Sequence, residues 1–216
     1  MIETIRNAIP REEFDYQMLL DALAGYARPR DKISDWLQKG VIVRIKKGLY
    51  VFGEGLRRSP YSRELLANLV YGPSYLSLDW ALQYYGLIPE RVEAMTSVTT
   101  GRSRKFHTPA GLFVYRQVPL QAFRTGMTRV ETTGNTAFLI ATREKAIADK
   151  IRSDRGVCIG SARQLSAYLT ENLRIDEAAL AELSPRMLAE FGLRYGSRKI
   201  RLFADFVDRV KGKIAK

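Results

Sequence analysis

The sequence predicts an α+β protein made of a small N-terminal unit and a larger mixed domain. Three observations lead to this prediction. The first 40 residues show helical apolar spacing, the run VIVRIKKGLYVF at residues 41–52 has strand character around a glycine turn, and later strand-like runs are flanked by helical ones. A charged, glycine-containing connector, GEGLRRSP, separates the two parts. We therefore predict domains at residues 1–58 and 59–216.

The N-terminal unit contains three helical patterns. Amphipathic spacing is found at residues 2–8 and 15–24, and Gly25 is placed to end the second helix. Pro29 suits the first turn of the third helix, because its fixed φ and missing N–H cost nothing there. Gly40 is placed to end that helix, directly before the strand pair.

This order of helices followed by a two-stranded ribbon predicts a winged helix-turn-helix. In that arrangement the second helix of the pair enters the major groove of DNA and the hairpin, or wing, lies along the backbone. The turn Lys46-Lys47-Gly48 would form the tip of the wing. Trp36 lies on the apolar stripe of the preceding helix and Tyr50 at the end of the wing, so both are predicted to belong to the core.

The larger domain is predicted to have an initial helical pair, a small, mostly antiparallel sheet and a helical C-terminal part. Apolar periodicity predicts its helices at residues 61–70, 75–85, 142–152, 162–173, 185–191 and 198–210. Runs rich in β-branched and aromatic residues predict its strands at residues 95–100, 112–118, 128–133 and 136–141.

Charge and composition restrict the possible partners. The chain has 216 residues, a formal net charge of +12 and a pI of about 9.9, which attracts it to phosphate-rich molecules. Between Arg28 and Lys47 there are seven Lys or Arg and two Asp. One cysteine and one histidine exclude an internal disulfide and the usual Cys and His metal sites. With no signal peptide and no membrane span apparent, we expect a cytoplasmic protein.

Several stretches resemble the AbiEi family of antitoxins. WLQKGVIVRIKKGLYVF resembles the winged-helix module of that family, with Gly40, Arg44, Gly48 and Tyr50 at its recurring positions. GPSYLSLDWALQYYGLIPE is similar to the helical pair that opens the family's second domain. TSVTTGRSRKF and YRQVP are similar to its central strands, and ATREKAIADKI to a helix with the pattern A-x-x-E-K-A-x-x-D. These matches keep the family's order over residues 15–152.

The resemblance implies the antitoxin of a type IV toxin-antitoxin system that serves in phage defence. Its winged helix would bind inverted repeats in its own promoter and repress the operon. Its second domain would counteract a nucleotidyltransferase-like toxin, in this family usually without a stable complex. Neither an enzymatic activity, nor a metal, nor another cofactor is expected.

Basic and polar side chains supply the candidate DNA contacts. Asp31 and Asp35 also face outward on the third helix, and carboxylates repel phosphate, although Asp can accept a hydrogen bond from cytosine. The candidates are therefore the other outward residues of that helix and of the wing: Arg28, Arg30, Lys32, Ser34, Gln38, Lys39, Arg44, Lys46 and Lys47. A possible second basic surface lies in the larger domain and comprises Arg102, Arg104, Lys105, Arg198, Lys199 and Arg201.

Two other interpretations compete with an antitoxin. One is a stand-alone winged-helix regulator whose second domain senses a ligand. The other is a DNA-processing enzyme, because the run REKAIADK contains Glu144, Lys145 and Asp149, residue types that some nucleases use. The same run also has the charge alternation of an amphipathic surface helix, which is the interpretation we favour. Cys158, in the apolar setting GVCIG, is predicted to be buried and unreactive.

Overall fold

The computed structural model describes residues 2–132 and 136–214. These residues form a mixed α and β structure, with a three-stranded antiparallel sheet near the N-terminus and a six-stranded sheet in the middle of the chain. Helices make up the C-terminal part. The predicted α+β fold class is confirmed.

The N-terminal unit alternates short helices with the strands of the smaller sheet. Its elements are α1 (Ile2–Ala8), β1 (Glu13–Asp15), α2 (Tyr16–Ala22), α3 (Pro29–Gln38), β2 (Ile42–Lys46) and β3 (Leu49–Phe52). The strand order is β1-β3-β2, and both pairings are antiparallel. The sequence did not predict β1, because three residues are too few to show a strand pattern.

Local signals in the sequence place the ends of these elements. The Asp15 carboxylate accepts a hydrogen bond from Met18 N at 2.8 Å and so caps α2. Pro29 is the first residue of α3, and Gly40 follows this helix with φ +66°. Gly53 leaves β3 so close to this turn that a Cβ would lie 1.8 Å from the Gly40 oxygen. The base of the hairpin is therefore held against the end of α3.

The β2–β3 hairpin lies between two hydrophobic clusters. Tyr50 and Trp36 belong to the core of the N-terminal unit, as predicted, and Phe52 lies in the same core. Leu49 and Val51 belong to the core of the larger domain. Since successive side chains of a strand point to opposite faces, β3 is buried on both faces. This explains why LYVF is apolar throughout instead of alternating.

The larger domain begins with α4 and contains the second sheet. Its elements up to the last strand are α4 (Arg63–Val70), β4 (Ser74–Leu76), α5 (Leu78–Tyr84), β5 (Met95–Thr99), β6 (Arg104–Thr108), β7 (Gly111–Gln117), α6 (Leu120–Phe123), β8 (Met127–Thr132) and β9 (Thr136–Ala141). The strand order is β6-β7-β5-β4-β9-β8. Three of its five pairings are antiparallel, and β5–β7 and β4–β9 are parallel.

Helices complete the larger domain. They are α7 (Arg143–Ser153), α8 (Ala162–Ala167), α9 (Glu177–Glu182), α10 (Pro185–Tyr195) and α11 (Arg198–Ile214), with a π-helical turn at Tyr168–Asn172 after α8. α10 packs against α11 at the small residue Gly192, where a Cβ would lie 2.6 Å from Arg201 Cγ. Among the described residues, no helix combines the length and the apolar character needed to cross a membrane.

The structure departs from the sequence-based predictions at short elements. The predicted helix at residues 75–85 begins three residues later, because residues 74–76 form the central strand β4. β6, α6 and α9 were not predicted as regular elements, since each has four to six residues. The strand predicted at residues 128–133 extends to Thr133, which lies outside the described residues.

The connector after the hairpin is held against the N-terminal unit. Oε1 of the buried Glu12 accepts hydrogen bonds from the Arg6 guanidinium and from the backbone N–H groups of Arg58 and Ser59, the latter at 3.1 and 3.2 Å. The neighbouring Glu13 carboxylate accepts from Ser62 N, and burial raises its pKa. Two adjacent carboxylates thus fasten the C-terminal end of the connector and the residues that follow it.

Helix α7 carries a fully buried ion pair. Lys145 Nζ lies 2.6 Å from Asp149 Oδ1, and both side chains have 0% relative exposure. Ser77 Oγ donates to Asp149 Oδ2 at 2.6 Å, and the Tyr195 hydroxyl also bonds to this carboxylate. Burial lowers the pKa of Lys145, and the adjacent Asp149 carboxylate opposes that shift. The prediction of a solvated helix is wrong for these two residues, because both face the core.

Replacing one partner of this pair should destabilise the domain strongly. We expect Lys145→Met to lower the free energy of unfolding by about 3–5 kcal/mol, because it leaves the Asp149 carboxylate buried without its counter-ion. The double variant Lys145→Met/Asp149→Leu should recover part of that loss, since no unpaired charge remains. Chemical denaturation of the wild type, Lys145→Met, Asp149→Leu and the double variant measures the coupling free energy between the two residues. Additive single effects would contradict the assignment of a coupled pair.

Candidate nucleic-acid interface

The exposed side of α3 is less positive than its composition indicates. Asp35 pairs with Lys32 of α3 and with Lys39, which directly follows this helix: its Oδ1 lies 2.7 Å from Lys39 Nζ and its Oδ2 3.4 Å from Lys32 Nζ. The hydrogen bond from Lys39 is the main reason why the pKa of Asp35 is lowered. Arg28 lies 4.0 Å from Asp31. Of the four predicted basic contacts on this helix, only Arg30 has no ion pair with another described residue.

The two polar candidates on α3 are both exposed. Ser34 Oγ donates to the backbone oxygen of Arg30 at 3.1 Å, so its hydroxyl oxygen remains able to accept a hydrogen bond. Gln38 lies one turn further along the helix. An amide can donate and accept at once, and a glutamine in the major groove can read adenine through two hydrogen bonds.

A β-bulge separates the basic residues of the β2–β3 hairpin. Arg44 is opposite Tyr50 and Lys46 is opposite Leu49, so β2 has one extra residue, Ile45, at this point. In a regular strand, side chains two residues apart share a face, and Arg44 and Lys46 would point the same way. The bulge instead turns Lys46 to the Leu49 face, which packs on the larger domain.

Lys46 is consequently engaged inside the molecule. Its ammonium group donates to the backbone oxygen of Val70, the last residue of α4, and burial lowers its pKa. A cation at this position caps the carbonyl end of the helix. Arg44 and Lys47 remain exposed, and Gly48 closes the turn with φ +86°. The predicted interface therefore keeps two of its three wing cations at the surface.

The structure divides the predicted second basic surface. Arg102, Arg104 and Lys105 are exposed on β6 or just before it, and the Arg104 guanidinium lies 5.5 Å from the ring centroid of Tyr71. Arg201 packs its stem against Gly192. Arg198 and Lys199, by contrast, line a cleft at the start of α11. These six residues do not all line one site.

Three arginines that the sequence-based prediction missed line a larger cleft. They are Arg116 at the end of β7, Arg152 in the last turn of α7 and Arg155 just after it. The spacing R-S-D-R at residues 152–155 is a signal that the sequence does contain. Arg116 could not be added from the sequence, because only the fold brings β7 beside the end of α7.

The single cysteine and the single histidine of the chain both lie at the surface. Cys158 is exposed, so the prediction that it is buried is wrong. His107 is exposed on β6, opposite Leu112. No group of three or more His, Cys, Asp or Glu among the described residues is arranged to hold a metal ion.

Comparison with known proteins adds no family assignment. No protein-family model matches the chain, and no curated protein is significantly similar to it in sequence.

The two adjacent lysines of the hairpin, Lys46 and Lys47, should differ in their effect on stability. We expect Lys46→Met to lower the free energy of unfolding by about 1–2 kcal/mol, because the Val70 carbonyl loses a charged hydrogen-bond donor. Lys47→Met removes the same charge from an exposed side chain and should change the free energy of unfolding by less than about 0.5 kcal/mol. Chemical denaturation compares the two variants directly. Equal effects would show that the Lys46 contact contributes nothing to stability.

Proposed function

We propose that the protein is a DNA-binding antitoxin of a type IV toxin-antitoxin system. In this proposal the N-terminal unit is a winged helix-turn-helix that binds inverted repeats in the promoter and represses the operon. The larger domain counteracts a nucleotidyltransferase-like toxin, without needing a stable complex with it. The protein would act in the cytoplasm, in phage defence.

One observation carries the DNA-binding part of the proposal. The exposed cations Arg30, Arg44 and Lys47 have no ion pair with other described residues and lie on α3 and on the β2–β3 hairpin. These are the two elements with which a winged helix contacts DNA. The helix order and the β1-β3-β2 sheet are compatible with that arrangement.

Phosphate and base contacts would be divided between these elements. Arg44 and Lys47 at the wing are suited to phosphate contacts, which set affinity and position but do not read sequence. Ser34 and Gln38 on α3 are suited to base edges. Lys32 and Lys39 are paired with Asp35, which offsets part of the positive charge that they would offer to DNA.

The resemblance to the AbiEi antitoxins supports the second half of the proposal. Its motif A-x-x-E-K-A-x-x-D falls on α7, where the Lys and the Asp are the buried pair Lys145 and Asp149. Glu144 of the same motif accepts a hydrogen bond from Ser184 N at 3.1 Å. Each charged residue of the motif therefore has a partner within the protein. These contacts explain why the fold needs these residue types at these positions.

The same contacts weigh against the DNA-processing enzyme. Asp149 is fully buried, and its oxygens bind Lys145, Ser77 and the Tyr195 hydroxyl. A carboxylate in this position cannot reach a substrate or share a metal ion with Glu144 at the surface. The clefts described above favour instead the regulator whose second domain senses a ligand, and we keep it as the second candidate.

Removing the three free cations should weaken DNA binding and flatten its salt dependence. For Arg30→Ala/Arg44→Ala/Lys47→Ala we expect the slope of log K against log salt to fall by about 2.7, at about 0.9 for each lost phosphate contact. Fluorescence anisotropy with a duplex from the region upstream of the gene, at several salt concentrations, measures the slope.

A charge-matched control separates local contacts from net charge. Arg124→Ala/Arg163→Ala/Arg186→Ala also removes three exposed cations, but from the larger domain. It should keep nearly the wild-type slope. If both triple variants flatten the slope equally, α3 and the wing are not the DNA-binding surface.

The neighbouring gene distinguishes an antitoxin from a stand-alone regulator. We expect expression of that gene alone to arrest growth, and co-expression of this protein to restore it. The cation-deficient variant Arg30→Ala/Arg44→Ala/Lys47→Ala should still restore growth when expressed from an unrelated promoter, because neutralisation is assigned to the larger domain. A neighbouring gene without effect on growth would favour the regulator.

A further inference from the structure

The cleft lined by Arg116, Arg152 and Arg155 is a concave, polar site in the larger domain. Its volume is about 630 Å³. The three arginines come from the end of β7, the last turn of α7 and the loop after α7. The rest of the lining consists of Ser103, Gln117, Val118, Pro119 and Ser153.

The positive charge of this cleft is not neutralised by the protein. No carboxylate lines it, and the three guanidinium groups form no ion pair with other described residues. Asp154 lies between Arg152 and Arg155 in the chain, but its Oδ1 is 3.2 Å from Lys150 Nζ and its Oδ2 accepts from Tyr168 at 2.6 Å. The cations repel one another, and a bound anion would relieve that repulsion.

The lining indicates which kind of anion fits. Guanidinium groups bind phosphate through paired hydrogen bonds, and the two serine hydroxyls can donate further ones. No aromatic side chain lines the cleft, so it offers no platform on which a base could stack. A volume of this size suits a small molecule, but ordinary ligand pockets are mostly apolar. The lining therefore favours a ligand that is bound mainly through its phosphate groups.

A second, smaller cleft adjoins the first one. It measures about 380 Å³, shares Arg152 and Arg155 with the larger cleft and adds Arg198, and it is also lined by Asp154 and Tyr195. Lys199 lines it too, but its ammonium group donates to the Val157 oxygen at 2.7 Å. Arg152 and Arg155 thus line both clefts, so that Arg116 of the larger cleft and Arg198 of the smaller one lie on either side of them.

We propose that this cleft binds a compact polyphosphate, the group carried by nucleoside di- and triphosphates. Arg116, Arg152 and Arg155 hold the phosphate oxygens, and Arg198 extends the site. Phosphates bonded to one another concentrate negative charge in a volume that a single cleft can enclose. A duplex spreads its phosphates along its length instead. This site is separate from the DNA interface proposed above and goes beyond that function.

Calorimetric titration of the full chain tests the proposal with three small probes and one macromolecule. We expect inorganic tripolyphosphate and ATP to bind with affinities within about fivefold of each other, and adenosine not to bind. Arg116→Ala/Arg152→Ala/Arg155→Ala should weaken tripolyphosphate binding at least tenfold. The control Arg124→Ala/Arg163→Ala/Arg186→Ala has the same net charge and should bind it nearly as the wild type does.

Thermal unfolding shows whether the cleft variant is folded. Without added anion and at low salt, the Arg116→Ala/Arg152→Ala/Arg155→Ala protein should unfold at or above the wild-type Tm, because mutual repulsion is removed. Tripolyphosphate should raise the Tm of the wild type and of the control, but not of the cleft variant. The interface variant Arg30→Ala/Arg44→Ala/Lys47→Ala should still bind tripolyphosphate, which separates this site from the DNA interface.

Any one of the following results would overturn the proposal. Tripolyphosphate that fails to bind, or binds both triple variants in the larger domain equally, would show that the cleft is not its site. Binding of ATP without tripolyphosphate would mean that the nucleoside is recognised. A 20-base-pair duplex whose binding depends on Arg116, Arg152 and Arg155, while tripolyphosphate binding does not, would make the cleft a nucleic-acid surface.

Discussion

The burial of the β2–β3 hairpin on both faces is the constraint on which the rest of the structure depends. Tyr50 and Phe52 pack into the N-terminal core, while Leu49 and Val51 pack into the core of the larger domain. A hairpin held in this way cannot move as a free wing without exposing apolar surface of one core or the other. The turn is therefore held in one position. Any DNA contact made by Arg44 or Lys47 would involve a hairpin that packs against both the N-terminal unit and the larger domain.

The distribution of free positive charge follows from this packing. The net charge of +12 overstates what α3 and the β2–β3 hairpin can offer to a polyanionic partner. Asp35 binds Lys32 and Lys39, and the bulge at Ile45 directs Lys46 to Val70. The cations that remain without an ion pair among the described residues include Arg30, Arg44 and Lys47 in the N-terminal unit. They also include the three arginines of the larger cleft.

The buried pair on α7 has a different role. Lys145 and Asp149 connect α7 to Tyr195 of α10 and to Ser77 beside the central strand β4. Bringing two charges into a core costs free energy, which the pair offsets only because its oxygens and protons are hydrogen-bonded. Such a network favours one arrangement of these elements over others. The same helix then carries Arg152 in its last turn, so the buried pair also sets the position of one wall of the cleft.

The sequence by itself determined the helices with clear caps, the hairpin and the apolar stripe containing Trp36, because these depend on near neighbours in the chain. Only the tertiary structure decided β1, β4 and β6, whose three to five residues gain their stability from strands distant in sequence. It also decided that Lys145 and Asp149 face the core, since charge alternation along a helix does not reveal which face another helix covers. The residues of the candidate sites divide in the same way between those that the sequence predicts and those that only the fold places. Arg30, Arg44 and Lys47 could be named from spacing, whereas the inward turn of Lys46 and the meeting of Arg116 with Arg152 and Arg155 result from a bulge and from long-range packing.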